Sequence, residues 1–307
     1  MISLLEPRAH KHHDHDHEHP HTHDHSHDHD HHDHGHDDHD HHDHDHDNQP
    51  ADHDLSPGVV KFLYIDPTAG ASGDMFLGAL VDLGVDFDRL SHLVGHLGVK
   101  GFALKRTQVE RHCIAATKVD VVVEDVPHPH RHLGDLLAII DAASLPARVK
   151  ERSRAVLTRL AEAEAEAHRM PVEKVHLHEV GGLDCLVDVV GTCVALELLG
   201  VDTIVSGPVS LGTGHVACAH GRMPVPAPGT LAILKGFPVR KTNFDGEMTT
   251  PTGAAIIAAL AIPAVAPLVM TPRRVGYGAG TKDKKELANL LRVVLADTAR
   301  MYLPKPN

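Results

Sequence analysis

The sequence predicts an α+β domain, a mixed sheet with packed helices, preceded by a disordered tail rich in histidine and aspartate. After residue 58, strand-like and helix-like segments are interspersed without strict alternation, which favours a mixed sheet. Aromatic residues make up 3% of the chain and tryptophan is absent, so Ala, Val, Leu and Ile must form most of the core. We expect a tail over residues 1–57, one domain over 58–298 and a short tail over 299–307.

The first elements follow from apolar runs and the residues that break them. An apolar run predicts a strand over 59–65, and the helical pattern over 74–83 ends near Gly84. Two further runs, over 102–109 and 115–124, are close enough in sequence to pair as strands.

Two longer helices occupy the middle of the chain. The first is predicted over 146–168, with Ser144 ahead of it and Pro171 beyond its end. The second, over 184–199, closes at Gly200. The remaining elements are short: strands over 203–206, 274–276 and 289–295, and helices over 230–235 and 253–260.

No segment has the pattern of a membrane span or a secretory signal. The uncharged run 253–270 is interrupted by Pro263 and Pro267, so we interpret it as a buried helix followed by an extended loop. The first eight residues contain no apolar signal core. The four cysteines show no C-x-x-C pairing, which is typical of reduced thiols and predicts a cytoplasmic location.

The tail carries the most distinctive composition of the chain. Between His10 and His53 lie 21 of the 32 histidines, most of them alternating with aspartate. Neutral imidazole binds Ni, Zn, Cu and Co ions, and the carboxylates attract cations. A segment so poor in apolar side chains cannot offset the entropy of ordering, so we expect disorder. The alternatives are a purification tag or a generic linker, and the tract by itself does not identify the metal.

The acidic balance of the chain belongs to this tail. Residues 10–54 contain 15 acidic residues and one lysine, a net charge of −14, whereas the whole chain carries −13. The rest of the chain therefore sums to +1, and no basic stripe indicates a nucleic-acid partner.

The first cluster of candidate functional residues is Asp-Pro-Thr-Ala-Gly-Ala-Ser-Gly-Asp at 66–74. It follows a predicted strand and opens a helix, whose free N–H groups and partial positive charge can bind a phosphate. No Lys-Ser/Thr follows, so the cluster is not a Walker loop. Its candidate binding residues are Asp66, Gly70, Ser72, Gly73 and Asp74, and the alternative is an ordinary capped turn.

The second cluster places five ligand-type residues within thirteen positions, 176–188. Residues two apart on an extended segment share a side, so His176 and His178 can bind one metal ion. Asp184 and Asp188 are four apart and share a helix face. Glu179 flanks the site as a possible general base. The alternative is a pair of surface histidines before an acidic helix start.

Two more clusters lie further along the chain. A glycine- and proline-rich loop at 212–229 carries His215 and His220, which could face a ligand. At 250–253, Thr250 caps a helix with Pro251 at its first position, and the same amides could hold a phosphate near Thr252 and Gly253.

Taken together, these strings resemble the LarC family, the nickel insertion proteins of nickel-pincer nucleotide biosynthesis. The matching strings run in family order from about residue 60 to 295: Gly-Ala-Ser-Gly-Asp-Met, His-Leu-His-Glu-Val-Gly-Gly-Leu-Asp, His-Gly-Arg-Met-Pro-Val-Pro-Ala-Pro, Met-Thr-Thr-Pro-Thr-Gly-Ala-Ala, Val-Gly-Tyr-Gly-Ala-Gly and Asn-Leu-Leu-Arg-Val. Members commonly carry a histidine-rich tract as well.

The resemblance implies a CTP-dependent, lyase-type cyclometallation, in which nickel enters a bisthiocarboxylated pyridinium mononucleotide. It implies nickel ligands at His176, His178 and Asp184, completed by His215 or His220. Glu179 is the expected catalytic base for the ring proton. The 66–74 loop and the 250–253 helix start are then candidates for the substrate phosphate.

One departure affects the expected partners. Full-length relatives continue into a C-terminal domain associated with CTP and with Mg or Mn, whereas the pattern here matches only the N-terminal portion. We therefore expect a separate C-terminal polypeptide to supply that part. The alternatives are a non-catalytic nickel storage or delivery protein and, less directly, a role in zinc homeostasis.

Overall fold

The computed structural model describes residues 58–124, 131–175, 177, 182–218, 221–264, 267–282, 285–299 and 303. The predicted tail over 1–57 lies outside these residues. The strands are β1 (Val59–Asp66), β2 (Phe102–Arg111), β3 (Ile114–Val123), β4 (Thr203–Ser206), β5 (Val209–Thr213), β6 (His215–Cys218), β7 (Gly221–Pro224), β8 (Val239–Asp245), β9 (Ile262–Pro263), β10 (Thr271–Ala279) and β11 (Leu290–Ala299). The helices are α1 (Gly73–Asp82), α2 (Phe87–Gly95), α3 (Leu133–Ala142), α4 (Ala147–His168), a 3₁₀ turn (Val172–Lys174), α5 (Leu183–Leu198), α6 (Pro228–Ile233) and α7 (Pro251–Leu260).

The main sheet has seven strands in the order β2-β3-β10-β11-β1-β4-β9. β11 lies antiparallel between β10 and β1, whereas β4 runs parallel to β1 and β3 runs parallel to β10. Parallel and antiparallel pairs within one sheet, with helices packed against it, confirm the predicted α+β class with a mixed sheet.

The core lies between this sheet and the helices. Along β1 the side chains alternate: Leu63 and Ile65 belong to the large cluster under the helices, and Phe62 belongs to a smaller cluster on the other face. Met270 and Leu303 pack against that smaller cluster. Both faces of β1 are thus covered, which explains why its sequence is largely apolar.

Helix α1 lies unusually close to the sheet, because glycines in β10 remove the side chains between them. A Cβ on Gly276 would stand 2.3 Å from the Ala79 carbonyl oxygen, and one on Gly278 would stand 1.9 Å from that of Met75. The Val-Gly-Tyr-Gly-Ala-Gly string is therefore a packing surface for α1, and it fixes where the first turn of that helix lies.

Two helices and two small sheets were not predicted. α2 begins at its cap Asp86, whose carboxylate accepts a hydrogen bond from the Arg89 N–H, and it buries only Leu90 and Val94. α3 buries only Leu136 and Ile140, so both helices give a weak periodic signal. β6 and β7 pair within the segment 212–229, where the sequence predicts a rigid loop, and β5 pairs with β8 further along the chain. Among the described residues, no helix is long and apolar enough to cross a membrane.

Candidate functional site: a carboxylate-lined cavity at three helix starts

The loop from β1 to α1 turns sharply at Gly70. Its φ is +99°, a left-handed conformation that favours glycine, and its N–H donates to the Pro67 carbonyl oxygen at 3.0 Å. A Cβ on Gly70 would stand 2.0 Å from the Met248 carbonyl oxygen. Gly70 therefore permits both the turn and the close approach of a distant segment.

That segment is the start of α7, which is hydrogen-bonded directly to the loop. The Ala71 N–H donates to the Met248 carbonyl at 3.2 Å, and the Thr250 N–H donates to the Ala71 carbonyl at 3.0 Å. A Cβ on Gly253 would stand 2.3 Å from the same Ala71 oxygen. The N-termini of α1 and α7 are thus neighbours, although nearly 180 residues separate them in sequence.

Helix α7 begins as the sequence predicts. Thr250 is the N-cap, its hydroxyl oxygen accepts a hydrogen bond from the Gly253 N–H at 3.2 Å, and Pro251 occupies the first turn. Ser72 takes the N-cap position of α1, but its hydroxyl donates to the Asp74 carboxylate.

The first turns of α5 complete the site. Asp188 of α5 packs against the backbone of Gly73, where a Cβ would stand 2.3 Å from the Asp188 Oδ2 atom. Cys185 lies beside Thr252, with 3.4 Å between the sulfur and the hydroxyl oxygen. The three helix starts enclose a cavity of about 360 Å³. It is lined by Ser72, Gly73, Asp74, Asp120, Val121, Asp184, Asp188, Thr250, Pro251, Thr252 and Thr281.

A smaller cavity of about 150 Å³ adjoins the first. The two share Ser72, Asp74, Thr250 and Thr281 in their linings. The smaller one also includes Lys282, so it places a cationic group next to the helix starts.

Carboxylates dominate the electrostatics of the larger cavity. Four aspartates line it, and none of the described lining residues is a lysine, arginine or histidine. Lys118 of β3 lies beside it with a side chain only 12% exposed. Its ammonium group pairs with Asp120 and stands 3.9 Å from the Asp74 Oδ2 atom. Asp74 Oδ1 also accepts the Met75 N–H at 2.9 Å.

Asp188 is the least compensated of the four. Its Oδ1 atom is buried and has no hydrogen-bond partner among the described residues. Burial raises the pKa of this carboxyl well above its usual range, and the charges of Asp74 and Asp184 raise it further, while Lys118 opposes them. The raised pKa means that the Asp188 carboxyl group favours binding a proton, and a cation beside it would stabilise its ionised form.

Cys185 is chemically quiet by comparison. Burial raises the pKa of its thiol to about 12, although the contact with Thr252 acts in the opposite direction. The thiol is therefore protonated at neutral pH and is a poor metal ligand.

The structure brings six of the sequence-predicted site residues to the larger cavity: Ser72, Gly73, Asp74, Asp184, Thr250 and Thr252. Gly70 and Gly253 allow the 66–74 loop and the start of α7 to lie in close contact. Asp66 is not among the lining residues, because its carboxylate accepts hydrogen bonds from Arg292 and the Thr68 hydroxyl. His215 is exposed on the β6–β7 hairpin and does not line this cavity.

Four of the predicted residues, His176, His178, Glu179 and His220, lie outside the described residues. Among the described residues, no group of three or more His, Cys, Asp or Glu side chains is arranged to hold a metal ion by itself. The predicted nickel ligands and catalytic base therefore remain predictions.

Sequence reasoning missed Lys118, Asp120 and Thr281 as neighbours of the site. Lys118 and Asp120 are two apart on β3 and so share a side of the strand, but nothing in that spacing indicates which cavity they face. Thr281 follows the glycine-rich string of β10, and its hydroxyl donates to the Asp74 Oδ2 atom at 3.3 Å.

Comparison with known proteins gives a consistent family. A family model described as nickel insertion protein matches residues 63–304. A putative nickel insertion protein of Geobacter sp. (strain M21) is 45% identical over 240 residues, which are 78% of this chain and 62% of the relative. One from Dictyoglomus thermophilum is 42% identical over 250 residues, 81% of this chain and 64% of the relative.

A relative from Geobacillus kaustophilus has a more specific description, pyridinium-3,5-bisthiocarboxylic acid mononucleotide nickel insertion protein. It is 41% identical over 258 residues, which are 81% of this chain and 62% of the relative. No solved structure gives a significant match. The chain spans a little under two thirds of the length of these relatives. The matched region contains every described residue that lines the cavity. Because the family model covers residues 63–304, most of the chain, the chain belongs to the nickel insertion protein family.

Proposed function

We propose that this protein inserts nickel into pyridinium-3,5-bisthiocarboxylic acid mononucleotide to form the nickel-pincer nucleotide cofactor. The observation that carries the proposal is the meeting of three sequence-distant motifs in one cavity: the 66–74 loop, the α5 start and the α7 start. Such a cavity offers helix N-termini for a phosphate and carboxylate oxygens for a cation. The substrate named for the Geobacillus relative contains a phosphate and receives a metal.

In this proposal the substrate phosphate binds near the helix starts at Ser72 and Thr250. Asp184 at the cavity wall supplies one oxygen ligand for the incoming nickel, with His176 and His178 just before it in sequence and His220 completing the set. Nickel is the cargo here, and imidazole with carboxylate is a suitable transient donor set for it.

The chemical step forms a nickel–carbon bond at the pyridinium ring. The ring carbon loses its proton to a base, for which we propose Glu179, and the electron pair of the broken C–H bond forms the bond to nickel. We further propose that the CTP requirement, with Mg or Mn, is met through a separate C-terminal polypeptide. The cytoplasmic location stays a prediction from sequence.

A mass-spectrometric assay tests this function. The full chain is incubated with Ni²⁺, the bisthiocarboxylated mononucleotide and CTP, with and without a family C-terminal domain added in trans. Nickelated product from the chain alone identifies a self-sufficient enzyme, and product only with the added domain identifies one part of a split enzyme. Absence of product in both mixtures, with the substrate intact, would overturn the proposal.

The histidine-rich tail favours one second candidate, a protein that stores or delivers nickel without catalysis. Deleting residues 1–54 separates the two functions. An enzyme keeps its turnover at saturating nickel after the deletion, whereas a storage protein loses most of its bound nickel and has no turnover to keep.

A further inference from the structure

The larger cavity carries so much negative charge that a phosphate needs a cation beside it to bind there. Four aspartates line it, the neighbouring cation Lys118 is already engaged by Asp120 and Asp74, and Lys282 lines only the smaller, adjoining cavity. A phosphate brought to the helix starts would meet these carboxylates at short range and be repelled. The attraction of the helix N-termini is a fraction of a charge each and does not reverse this balance.

Asp188 gives an independent indication of a cation site. Its Oδ1 atom is enclosed without a hydrogen-bond partner among the described residues, and the side chain lines the cavity. Buried polar atoms in native proteins are almost always paired, and an orphaned carboxylate oxygen is a common mark of an ion or water. Gly73 keeps the wall beside it free of a side chain, because a Cβ there would stand 2.3 Å from the Asp188 Oδ2 atom.

The surrounding donors specify the class of cation. Among the described lining residues, every side-chain heteroatom is an oxygen, from the aspartates and from the hydroxyls of Ser72, Thr250, Thr252 and Thr281. Oxygen donors suit Mg²⁺ and Mn²⁺, whereas nickel prefers sites that include nitrogen or sulfur. Mg²⁺ also keeps several waters and uses one or two carboxylates plus a substrate phosphate. A complete protein cage of three ligands is therefore unnecessary, in keeping with the described residues.

We propose that Asp188 and Asp74 hold a hydrated divalent cation of the Mg²⁺ or Mn²⁺ class that bridges to the phosphate of the mononucleotide. This cation is distinct from the nickel cargo. The bridging role rests on the proposed function, whereas the cation site itself depends only on the charges and contacts of the cavity.

Thermal unfolding of the full chain tests the site without any nucleotide. For a Kd of about 0.1 mM, 10 mM Mg²⁺ raises the Tm of the parent by about 5 to 10 °C over NaCl of equal ionic strength. Asp188→Asn abolishes this Mg²⁺-dependent rise and Asp74→Asn reduces it. The control Asp88→Asn, an exposed residue of α2, leaves it unchanged. The tail is present in every variant, so it cannot account for a difference between them.

The proposal is overturned if Mg²⁺ and Mn²⁺ leave the parent Tm unchanged, or if Asp188→Asn and the parent respond equally. Protonation of the aspartates that line the cavity would then be enough to balance their charge. It is also overturned if Ni²⁺ produces the Asp188-dependent rise while Mg²⁺ and Mn²⁺ do not.

The bridging role has its own measurement, equilibrium dialysis with nicotinic acid mononucleotide as the probe. We expect the probe to bind at least tenfold more tightly with 10 mM Mg²⁺ than in EDTA, and Asp188→Asn to remove that difference. A magnesium-dependent Tm with magnesium-independent probe binding would refute the bridge and leave the cation site in place. Nickel insertion is scored separately by its own product, so failure there does not bear on either result.

Discussion

At the scale of single residues, the close contact between Gly73 and Asp188 forms part of the cavity wall. The backbone of Gly73 lies against the Asp188 carboxyl group, and each defines the space left for the other. The sequence motif Gly-Ala-Ser-Gly-Asp identifies Gly73 as part of a helix-opening turn. The motif does not indicate that Gly73 contacts a carboxyl group more than 100 residues away.

Gly73→Ala tests this contact. The added Cβ would collide with the Asp188 carboxyl, so we expect the free energy of unfolding to fall by about 1 to 3 kcal/mol. Urea denaturation measures it. Gly95→Ala is the matched control, because nothing lies within 4 Å of a Cβ there, at the end of α2. It should be neutral or gain up to about 1 kcal/mol from the better helix former. Equal effects of the two changes would contradict the contact.

The cysteines give a second prediction for single residues. The pKa of Cys185 is raised to about 12 and that of Cys193 to about 11, both by burial, so each stays a protonated thiol far above neutral pH. Cys113 is exposed. In folded protein at pH 8, iodoacetamide should modify Cys113 at least a hundredfold faster than Cys185, as followed by peptide mass spectrometry. Comparable rates, before guanidinium is added, would show that Cys185 is accessible and ionised.

At the scale of elements, the helix starts matter more to the site than the helices themselves. Thr250 and Pro251 predict the start of α7 from sequence, and the structure confirms it. The strands and helices near 59–66, 147–168 and 183–198 are also predicted closely, because each has a long apolar pattern with clear ends. The pairing of Ala71 with Thr249 is not predictable in this way, since no local pattern encodes contacts between such distant segments.

Thr250→Ala should destabilise the protein by about 1 kcal/mol, because α7 loses the hydroxyl that accepts from the Gly253 N–H. Thr250→Ser keeps that oxygen and should recover most of the loss. Urea denaturation of the two variants makes the comparison. If serine and alanine were equally destabilising, the cap would not be the source of the effect.

At the scale of the whole molecule, the two features that we propose to bind metal differ in their chemistry. The tail carries imidazole and carboxylate groups at high density, whereas the cavity offers oxygen donors within a packed domain. The tail is evident from composition alone. The cavity could be predicted only as separate motifs, because three helix starts and one strand assemble it from residues between 72 and 281.

The tail should lose nickel in acid. Its histidines bind metal as neutral imidazoles, and protonation near pH 6.5 competes for the same nitrogen. Nickel bound per chain should therefore be high at pH 7.5 and fall severalfold at pH 5.5, as measured by equilibrium dialysis with elemental analysis. The chain lacking residues 1–54 should show little of this pH-dependent pool. Retention of the full pool after the deletion would place nickel storage elsewhere.

The proposed function requires nickel insertion to occur at the carboxylate-lined cavity. The most direct measurement is the mass-spectrometric rate of nickelated product for the parent, Asp184→Asn and Asp88→Asn under one reconstituted condition. We predict that Asp184→Asn lowers the rate by about tenfold or more, because it removes a proposed nickel ligand, while Asp88→Asn matches the parent. Equal rates for all three proteins would contradict the assignment of nickel insertion to this cavity.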